Sequence, residues 1–355
     1  MKRTKRILGI LTCFCLEVNA IVHENAYLVG GIMLKNRALM LVALVMLAGC
    51  ASDTETSSFP DRTIEIIAPA TPGGGWDLTA RSIQRSLEND GLIDEHVTVV
   101  NKPGGGGEVG WQYLNQQDSH FAAVNSSLLL TSNLLGQSEL SYKDFTPLAM
   151  LSTEWLAIAA KSDAPFENGV EVMELLKENP KALTIGVSPS LGSGNHLAFV
   201  QAAVAFGVEP TELQFLVYSS GGDIMNALLG GHIDIATNSV SGFAEQYEAG
   251  DINMLAVSSE ERLDRFGEVP TWKELGADMV FPHWRGLMGP ADMQPEDVDT
   301  WDEWLSSMVE TEEWQTLLEN NDLDAFYMDS EETAVFMAEQ EAFFAEIIAD
   351  SGLAP

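Results

Sequence analysis

Residues 63–77, TIEIIAPATPGGGWD, join an apolar run to three successive glycines and then to a helical pattern. A short β-rich run that ends in a glycine turn and leads into a helix is typical of a strand–helix unit in an α/β protein. Beyond the glycines, apolar residues recur at the spacing of one helix face, at Trp76, Ala80, Ile83 and Leu87. The stretch therefore predicts a strand, a loop at its end and a helix.

A second glycine loop, residues 101–110 (NKPGGGGEVG), follows the next β-rich run. Successive glycines let bare backbone N–H groups approach whatever lies above the sheet, and the N-terminus of the following helix favours an anion. Ligands of open α/β sheets bind at this end of the strands. Tight packing of turn backbone would explain one such loop, but two equivalent loops on consecutive strands favour a ligand site.

Short β-rich runs and helical stretches alternate along most of the chain. This alternation predicts an α/β fold with largely parallel sheets. Residues 296–348 are almost wholly helical in pattern. Strands are predicted at residues 63–68, 96–100, 121–124, 156–160, 184–187, 214–217, 233–237 and 254–257.

Three more polar loops follow predicted strands, at residues 188–196, 218–223 and 237–239. They place hydroxyls and N–H groups at helix N-termini, but none contains the G-x-S-x-G nucleophile elbow. Gly105, Gly107 and Gly110 match G-x-G-x-x-G. The region after the third predicted strand lacks the acidic residue that a dinucleotide site needs. The chain thus offers no convincing nucleophile–base pair, metal cluster or nucleotide fingerprint, which suits binding without turnover and without a cofactor or metal.

The N-terminal region predicts export. Basic residues and a short apolar run precede Leu47-Ala48-Gly49-Cys50, an order similar to a bacterial lipoprotein signal with lipid on Cys50. The alternative is an ordinary secretory signal cut near Ala51. Residues 1–49 are the predicted signal region. Residues 1–32 are explained by a start codon assigned too early, because Met33 begins a complete second signal. Residues 50–59 are small, polar and acidic, as in a tether. The mature protein is therefore expected outside the cytoplasm, anchored to the membrane.

The charge balance is strongly acidic. The signal region holds six of the 18 Lys/Arg and two of the 53 Asp/Glu residues, so the rest carries a formal charge of −39. A field of that sign repels nucleic acid and anionic membrane surfaces. Cys13 and Cys15 also lie in the signal region, so no cysteine remains for a disulfide, a thiolate nucleophile or a Cys-based metal site.

These motifs together resemble a known family, the substrate-binding receptors of tripartite tricarboxylate transporters, or Bug-type extracytoplasmic solute receptors. The resemblance covers about residues 60–353. The segments that carry it are PGGGWD at 72–77, NKPGGGG at 101–107, GSGNH at 192–196, LLGGHID at 228–234 and WRG at 284–286.

The resemblance implies an α/β, two-lobed periplasmic-binding-protein fold with a ligand cleft between the lobes. Lobe 1 would comprise residues 60–160 and 284–355, and lobe 2 residues 161–283. The ligand would be a small carboxylate, either a citrate-like tricarboxylate or a dicarboxylate. The receptor would deliver it to integral-membrane transporter subunits. The predicted ligand-binding residues are Gly73, Gly74, Gly75, Trp76, Asp77, Gly104, Gly105, Gly106, Gly107, Asn125, Ser126, Ser193, Asn195, Ser219, Thr237, Asn238 and Arg285.

Some interpretations stay open at this level. Asp77 opens a predicted helix and could simply cap it, and Arg285 could either add charge at the hinge or form an ion pair. Thr237 stands where the family often has Asp. The competing functions are a dehydrogenase built on the glycine pattern, a hydrolase using Ser193 with His196, and a carboxylate-sensing partner of a signalling system.

Overall fold

The computed structural model describes residues 59–354. The predicted signal region, the lipid site at Cys50 and all of the tether except Phe59 lie outside the described residues. The strands are β1 (Ile64–Ala68), β2 (Val97–Asn101), β3 (Phe121–Asn125), β4 (Thr146–Lys161), β5 (Thr184–Val187), β6 (Gln214–Val217), β7 (Ile235–Ser239), β8 (Ile252–Val257), β9 (Pro282–Gly289) and β10 (Asp324–Met328). The helices are α1 (Gly75–Asn89), α2 (Glu108–Leu114), α3 (Leu128–Leu134), α4 (Gly169–Glu178), α5 (Gly194–Ala205), α6 (Gly221–Leu229), α7 (Val240–Glu248), α8 (Pro295–Val309), α9 (Glu312–Asn320) and α10 (Ser330–Asp350).

Two sheets share the long strand β4. Sheet A runs in the order β2-β1-β3-β9-β4, with β10 also on β4, and sheet B continues as β4-β7-β5-β6, with β8 also on β4. The first part of β4, through Trp155, pairs with β9, and the part from Leu156 pairs with β7 and β8. The predicted lobe boundary at 160/161 lies a few residues after the point where β4 changes sheets. The predicted boundary at 283/284 lies just after the start of β9, which returns the chain to sheet A.

Each sheet has a parallel core. In sheet A, β1 pairs in parallel with β2 and β3, and in sheet B, β5 pairs in parallel with β6 and β7. The predicted alternation of strands and helices is confirmed, and the predicted strands at 184–187 and 214–217 match β5 and β6. Strands β4, β8, β9 and β10 pair antiparallel, so the sheets are more mixed than the sequence predicted.

Strand β9 is the central addition to sheet A. It lies between β3 and β4, which are close in sequence but do not pair with each other in the sheet order. Its sequence, PHWRGLMG, mixes aromatic, basic and small residues and lacks the apolar run typical of a buried strand. The sequence pattern therefore does not predict β9, nor does it predict β10, which interrupts the predicted C-terminal helical section.

The helices bury the faces that their sequences predict. The predicted apolar stripe of α1 is buried at Trp76, Ala80, Ile83 and Leu87. One large buried cluster includes Ile66 of sheet A and Ile185 of sheet B, so the two sheets share apolar packing. Burying such side chains stabilises a fold by roughly 1.5–3 kcal/mol each. Within residues 59–354, no helix combines the length and the apolarity needed to cross a membrane.

Candidate ligand-binding site

The glycine loops lie at one edge of sheet A. Strands β1, β2 and β3 are parallel, so their carboxyl ends meet there. The first loop leads directly into α1, and the second passes through a short 3-10 turn, Gly105–Gly107, into α2. Asn125 ends β3 at the same edge, followed by Ser126. The structure thus brings together the residues predicted to bind from the first lobe.

The second loop requires glycine. Residues 104–107 have φ angles of 132°, 58°, 67° and 110°, a region that L side chains rarely adopt. A Cβ atom on Gly106 would lie 3.1 Å from the hydroxyl oxygen of Ser190, in the third polar loop. Glycine here lets the loop backbone come close to a segment that follows strand β5 of sheet B.

Asp77 ties the two loops together. Its Oδ2 accepts hydrogen bonds from the Gly73 N–H at 2.9 Å and from Arg81 Nε at 3.0 Å, and its Oδ1 accepts one from Asn101 Nδ2 at 2.8 Å. Burial alone would raise the pKa of Asp77, but these hydrogen bonds outweigh it and hold the pKa below its usual value. The carboxylate therefore positions the loops, a role that the simple capping interpretation did not include.

Trp76 packs against Trp111, with ring centroids 5.6 Å apart. Its side chain is 8% exposed, so the ring belongs mainly to the core under the first loop.

Arg285 lies buried against the start of α1. One guanidinium nitrogen, Nη2, forms a short ion pair with Glu154 Oε1, and Nη1 donates to Thr79 Oγ1 at 3.3 Å. A Cβ on Gly75 would lie 2.5 Å from Nη2, so the guanidinium packs directly on that glycine. Of the two predicted roles for Arg285, the ion pair is the one present in this conformation.

His283, two residues before Arg285, reaches the start of α5. A Cβ on Gly194 would lie 2.4 Å from His283 Nδ1, and the other ring nitrogen lies 3.9 Å from Glu154 Oε1. The pKa of His283 is lowered to about 4, chiefly by burial, with Glu154 opposing the shift and Arg285 adding to it. The imidazole is therefore neutral at neutral pH.

The third polar loop contacts α3 as well as the second glycine loop. The Thr131 hydroxyl donates to the Gly192 carbonyl at 2.8 Å. A Cβ on Gly192 would lie 2.5 Å from a methyl carbon of Leu135. These contacts form a junction: the second glycine loop and helix α3 lie on one side and the third polar loop, residues 188–196, on the other. The two sides are in direct contact in the present conformation.

Ser193 and His196 do not form a nucleophile–base pair. Ser193 caps α5, and its hydroxyl accepts the His196 backbone N–H at 3.4 Å. The His196 ring accepts the Gly192 N–H at Nδ1, at 3.0 Å, and stacks edge-on against Phe215. Burial lowers the pKa of His196 to about 4. Its imidazole therefore supports the loop structurally. Ser193 and His196 lack the side-chain hydrogen bond that the hydrolase alternative requires.

Other predicted residues of the second lobe have local roles. The Thr237 hydroxyl donates to the Gly186 carbonyl at 2.9 Å, within sheet B. Asn238 lies against Gly221 and Gly242, where a Cβ would approach its amide within 2.6 Å and 2.4 Å. Ser219 is exposed and lines a surface concavity of about 630 Å³ that includes no residue of the glycine loops. The structure does not bring Ser219 to those loops.

Several buried polar atoms without a protein hydrogen-bond partner belong to residues of the predicted site or to residues in contact with its glycines. In residues 59–354 there are ten such atoms. Six of them belong to Asn125, Ser190, Asn195, His283 and Arg285. Because native proteins leave few buried polar groups unpaired, this concentration points to a binding surface. The described residues contain no cluster of His, Cys, Asp and Glu able to hold a metal ion.

Sequence reasoning missed Glu154, Thr153, Ser190 and His283. A signal for Glu154 was present, because it is the one charged residue in the otherwise uncharged run 145–160. Ser190 and His283 carried no comparable signal, since their contacts with Gly106 and Gly194 depend on how distant segments meet.

Comparison with known proteins identifies the family. The model of the tripartite tricarboxylate transporter family receptor, TctC, matches residues 79–353. The chain belongs to this family. It is thus a two-lobed periplasmic solute-binding receptor and not an enzyme, as the resemblance predicted.

Individual relatives and solved structures match over most of their length. The UPF0065 protein in the gbd 5′ region of Cupriavidus necator is 27% identical over 315 residues, 88% of this chain and 94% of that protein. A TctC solute-binding protein from Polaromonas is 28% identical, with a TM-score of 0.64 over 82% of this chain and 99% of that one. R. palustris Rpa4515, solved with adipate, shares the fold at 19% identity, with a TM-score of 0.75 over 84% and 99% of the chains.

Proposed function

We propose that this receptor captures a small carboxylate, either a citrate-like tricarboxylate or a dicarboxylate. It then delivers this ligand to the integral-membrane subunits of a tripartite tricarboxylate transporter. The observation that carries this proposal is the junction itself. The first glycine loop leads into the N-terminus of the 15-residue helix α1, Asn125 ends a neighbouring parallel strand, and residues of both sheets hold buried polar atoms without a protein partner.

The chemistry of the junction suits a carboxylate. The first backbone N–H groups of α1 have no partner within the helix, and the helix dipole favours negative charge there. The neighbouring cationic side chains are engaged elsewhere. Arg81 pairs with Asp77, Arg285 with Glu154, and Lys102 Nζ lies 3.9 Å from the centre of the Tyr113 ring. Neutral N–H and O–H groups would therefore do most of the binding, as the glycine loops suggest.

The comparisons support this ligand class. The family description names tricarboxylate transport, and Rpa4515, which shares the fold, was solved with the dicarboxylate adipate. No feature of the described residues favours the sensing alternative over transport.

The two lobes proposed here are residues 60–160 with 284–355, and residues 161–283. Both connections between them lie in extended chain, one within β4 and one at the start of β9. Small changes of φ and ψ at two such crossings can rotate whole lobes, as in periplasmic binding proteins. Ligand contacts with both lobes at once would drive the closure.

Calorimetry with a panel of di- and tricarboxylates tests the proposed function. Gly74 has ordinary backbone angles and room for a side chain, since a Cβ there would meet nothing closer than the Thr71 carbonyl at 3.4 Å. Gly74→Val should therefore fold while hindering the approach of a carboxylate to the first loop. Gly267→Val, at an open position outside the glycine loops, is the matched control. Unchanged carboxylate binding by folded Gly74→Val would show that the site lies elsewhere.

The proposed lipid anchor rests on Cys50 and has a separate test. Cys50→Ser should release the receptor from the membrane fraction into the soluble extracytoplasmic fraction. A variant that stays in the membrane pellet would show that something other than a lipid on Cys50 retains it.

A further inference from the structure

A turn of the first lobe bonds to two residues outside the junction. The turn, residues 321–324, leads from α9 into β10 of sheet A. Asp322 accepts a hydrogen bond from Arg265 Nη1 at 2.6 Å, and Asp324 accepts one from Trp155 Nε1 at 2.7 Å. Arg265 lies between β8 and β9, in the second lobe, and the Trp155 ring packs against an apolar cluster of sheet B and its helices. The turn therefore holds on to the second lobe.

Arg265 is oriented for this contact by its own lobe. Glu248, the last residue of α7, accepts hydrogen bonds from Arg265 Nε at 2.9 Å and from Arg265 Nη2 at 2.8 Å. The guanidinium is thus held in place by its own lobe, so pairing with Asp322 costs it little further conformational freedom. Surface ion pairs contribute measurably to stability when several charges form a network of this kind.

The backbone of Asp322 is in an uncommon conformation. Its φ is 50°, in the left-handed region, and among the described residues the one other non-glycine position with positive φ is Asp292, at 55°. This region is unfavourable for residues with a Cβ atom. Such a conformation persists where the surrounding structure imposes it, and the bond to Arg265 is a constraint of that kind.

The two lobes repel each other electrostatically. Residues 161–283 hold six Lys/Arg and 18 Asp/Glu, and the first lobe, residues 60–160 with 284–355, holds six and 31. Both lobes are therefore strongly negative, which opposes their approach. Away from the contact of His283 with Glu154 at the crossing strands, Arg265–Asp322 is the one ion pair between the lobes in the part of the chain that the structure describes.

Rotation of the lobes would break this pair. Trp155 lies where β4 changes sheets, so its bond to Asp324 fixes the turn close to the hinge. Arg265 lies outside both crossing strands, so a rotation of the second lobe moves it relative to that turn. A hydrogen bond of 2.6 Å does not survive a displacement of a few ångströms. The pair thus belongs to the conformation in which the two sides of the junction are in contact.

We propose that Arg265 and Asp322 are positioning residues that hold the lobes together in the conformation that binds the ligand. The inference rests on the proposed closure of the two lobes, and it adds a contact outside the binding site that tunes affinity. Apparent affinity falls with the fraction of receptor in the binding-competent state. Loss of the pair should therefore weaken carboxylate binding by about 3- to 5-fold, the upper part of the range for exposed ion pairs.

Asp322→Gly tests the inference in the full chain. It removes the carboxylate, and glycine adopts the left-handed backbone at position 322 without cost, so the turn itself should stay intact. Calorimetry with citrate, malate and adipate should show the 3- to 5-fold loss at low salt for whichever of these acids binds the wild type. The loss should shrink in 1 M NaCl, where charges interact over only about 3 Å. Small-angle scattering should show a larger radius of gyration for the unliganded variant.

Asp292→Gly is the matched control. Asp292 has the same backbone conformation, lies in the same lobe and loses the same charge, but it precedes α8 and is not part of the turn that bonds to Arg265. It should leave the affinity within about 2-fold of wild type and the radius unchanged. Unchanged affinity and radius in Asp322→Gly would overturn the inference, and so would a loss that Asp292→Gly shares. If the wild type bound none of the three acids, the proposed function would fail for them, and the radius of the unliganded variants would still decide the inference.

Discussion

Arg285 and Glu154 form a buried ion pair between the neighbouring strands β9 and β4, packed against the first turn of α1. Their side chains are only 8% and 4% exposed. Two charges removed from water in this way repay their desolvation only while both are present. The pair therefore couples the integrity of sheet A to the position of the first glycine loop.

Glu154→Gln should destabilise the fold strongly, because it leaves the Arg285 charge buried without its counter-ion. Breaking a buried pair costs about 3–5 kcal/mol, which denaturant unfolding would detect as a lower midpoint. Replacing both partners, as in Glu154→Gln with Arg285→Met, should recover part of the loss.

The exposed pair Lys273–Glu260 gives the control for this prediction. Glu260→Gln should change the free energy of unfolding by no more than about 1 kcal/mol, as is usual for surface ion pairs. If Glu154→Gln cost no more than Glu260→Gln, the buried pair would not have the role given to it here.

Gly75 and Gly74 should respond differently to alanine. A Cβ on Gly75 meets the Arg285 guanidinium at 2.5 Å, whereas one on Gly74 meets nothing closer than 3.4 Å. Gly75→Ala should cost about 1–3 kcal/mol, the usual cost of overpacking, and thermal unfolding would show it. Gly74→Ala should be nearly neutral. Similar effects of the two substitutions would mean that Arg285 can move away without cost.

His196 should make stability depend on pH. Because burial holds its folded pKa at about 4, below the usual 6.5, the unfolded chain binds a proton between these values that the folded chain does not. The stabilisation is complete above pH 6.5 and is lost as the pH falls toward 4. In His196→Asn, the amide oxygen can still accept the Gly192 N–H but cannot titrate.

The measurement is the free energy of unfolding at pH 7 and at pH 4.5 for wild type and variant. Wild type should lose about 2 kcal/mol more than His196→Asn over this interval, since one pKa unit corresponds to about 1.4 kcal/mol. An equal pH dependence of wild type and His196→Asn would show that His196 protonates in the folded state as readily as in the unfolded one.

Thr131 should stabilise the closed junction. Thr131→Val removes the hydroxyl that donates to the Gly192 carbonyl, a loss of about 1 kcal/mol that shifts the population toward an open form. Small-angle scattering should show a larger radius of gyration for the unliganded variant and compaction when a carboxylate binds. Thr333→Val removes a buried hydroxyl that accepts the Met150 N–H within the sheet A region and should not change the radius.

Small-angle scattering also tests the proposed closure of the two lobes. An identical radius of gyration with and without a carboxylate, when calorimetry confirms binding, would mean that the site is preformed and that the lobes do not close.

The sequence predicted the local units of this fold well. Strand β1, its glycine loop and helix α1 depend on residues that are adjacent in the chain, so apolar spacing and glycine runs suffice to predict them. Strand β9 was missed because PHWRGLMG lacks a strand-like pattern and is held in place by β3 and β4, far away in sequence. The same limit explains β10, which among the described strands pairs with β4 alone.

The candidate site also combines features that local sequence predicts with contacts between segments far apart in the chain. The glycine loops and Asn125 follow predicted strands, so topology alone placed them at one edge. The contacts Gly106–Ser190 and Gly194–His283 join segments that no local pattern connects. Asp77 was identified, but its three hydrogen bonds make it a structural tie between loops, which depends on the position of Asn101 relative to α1.

The place of β9 in the middle of sheet A constrains how the chain can be made. During synthesis β3 and β4 emerge early, yet the strand that joins them, residues 282–289, emerges only after the whole of sheet B. Until then sheet A consists of the ribbon β2-β1-β3 and the unpaired first part of β4, whose open edges are the kind of surface that pairs with other chains. Completion of sheet A must therefore wait until nearly the entire polypeptide has been synthesised, and a chain that stops before Pro282 would stay prone to aggregation.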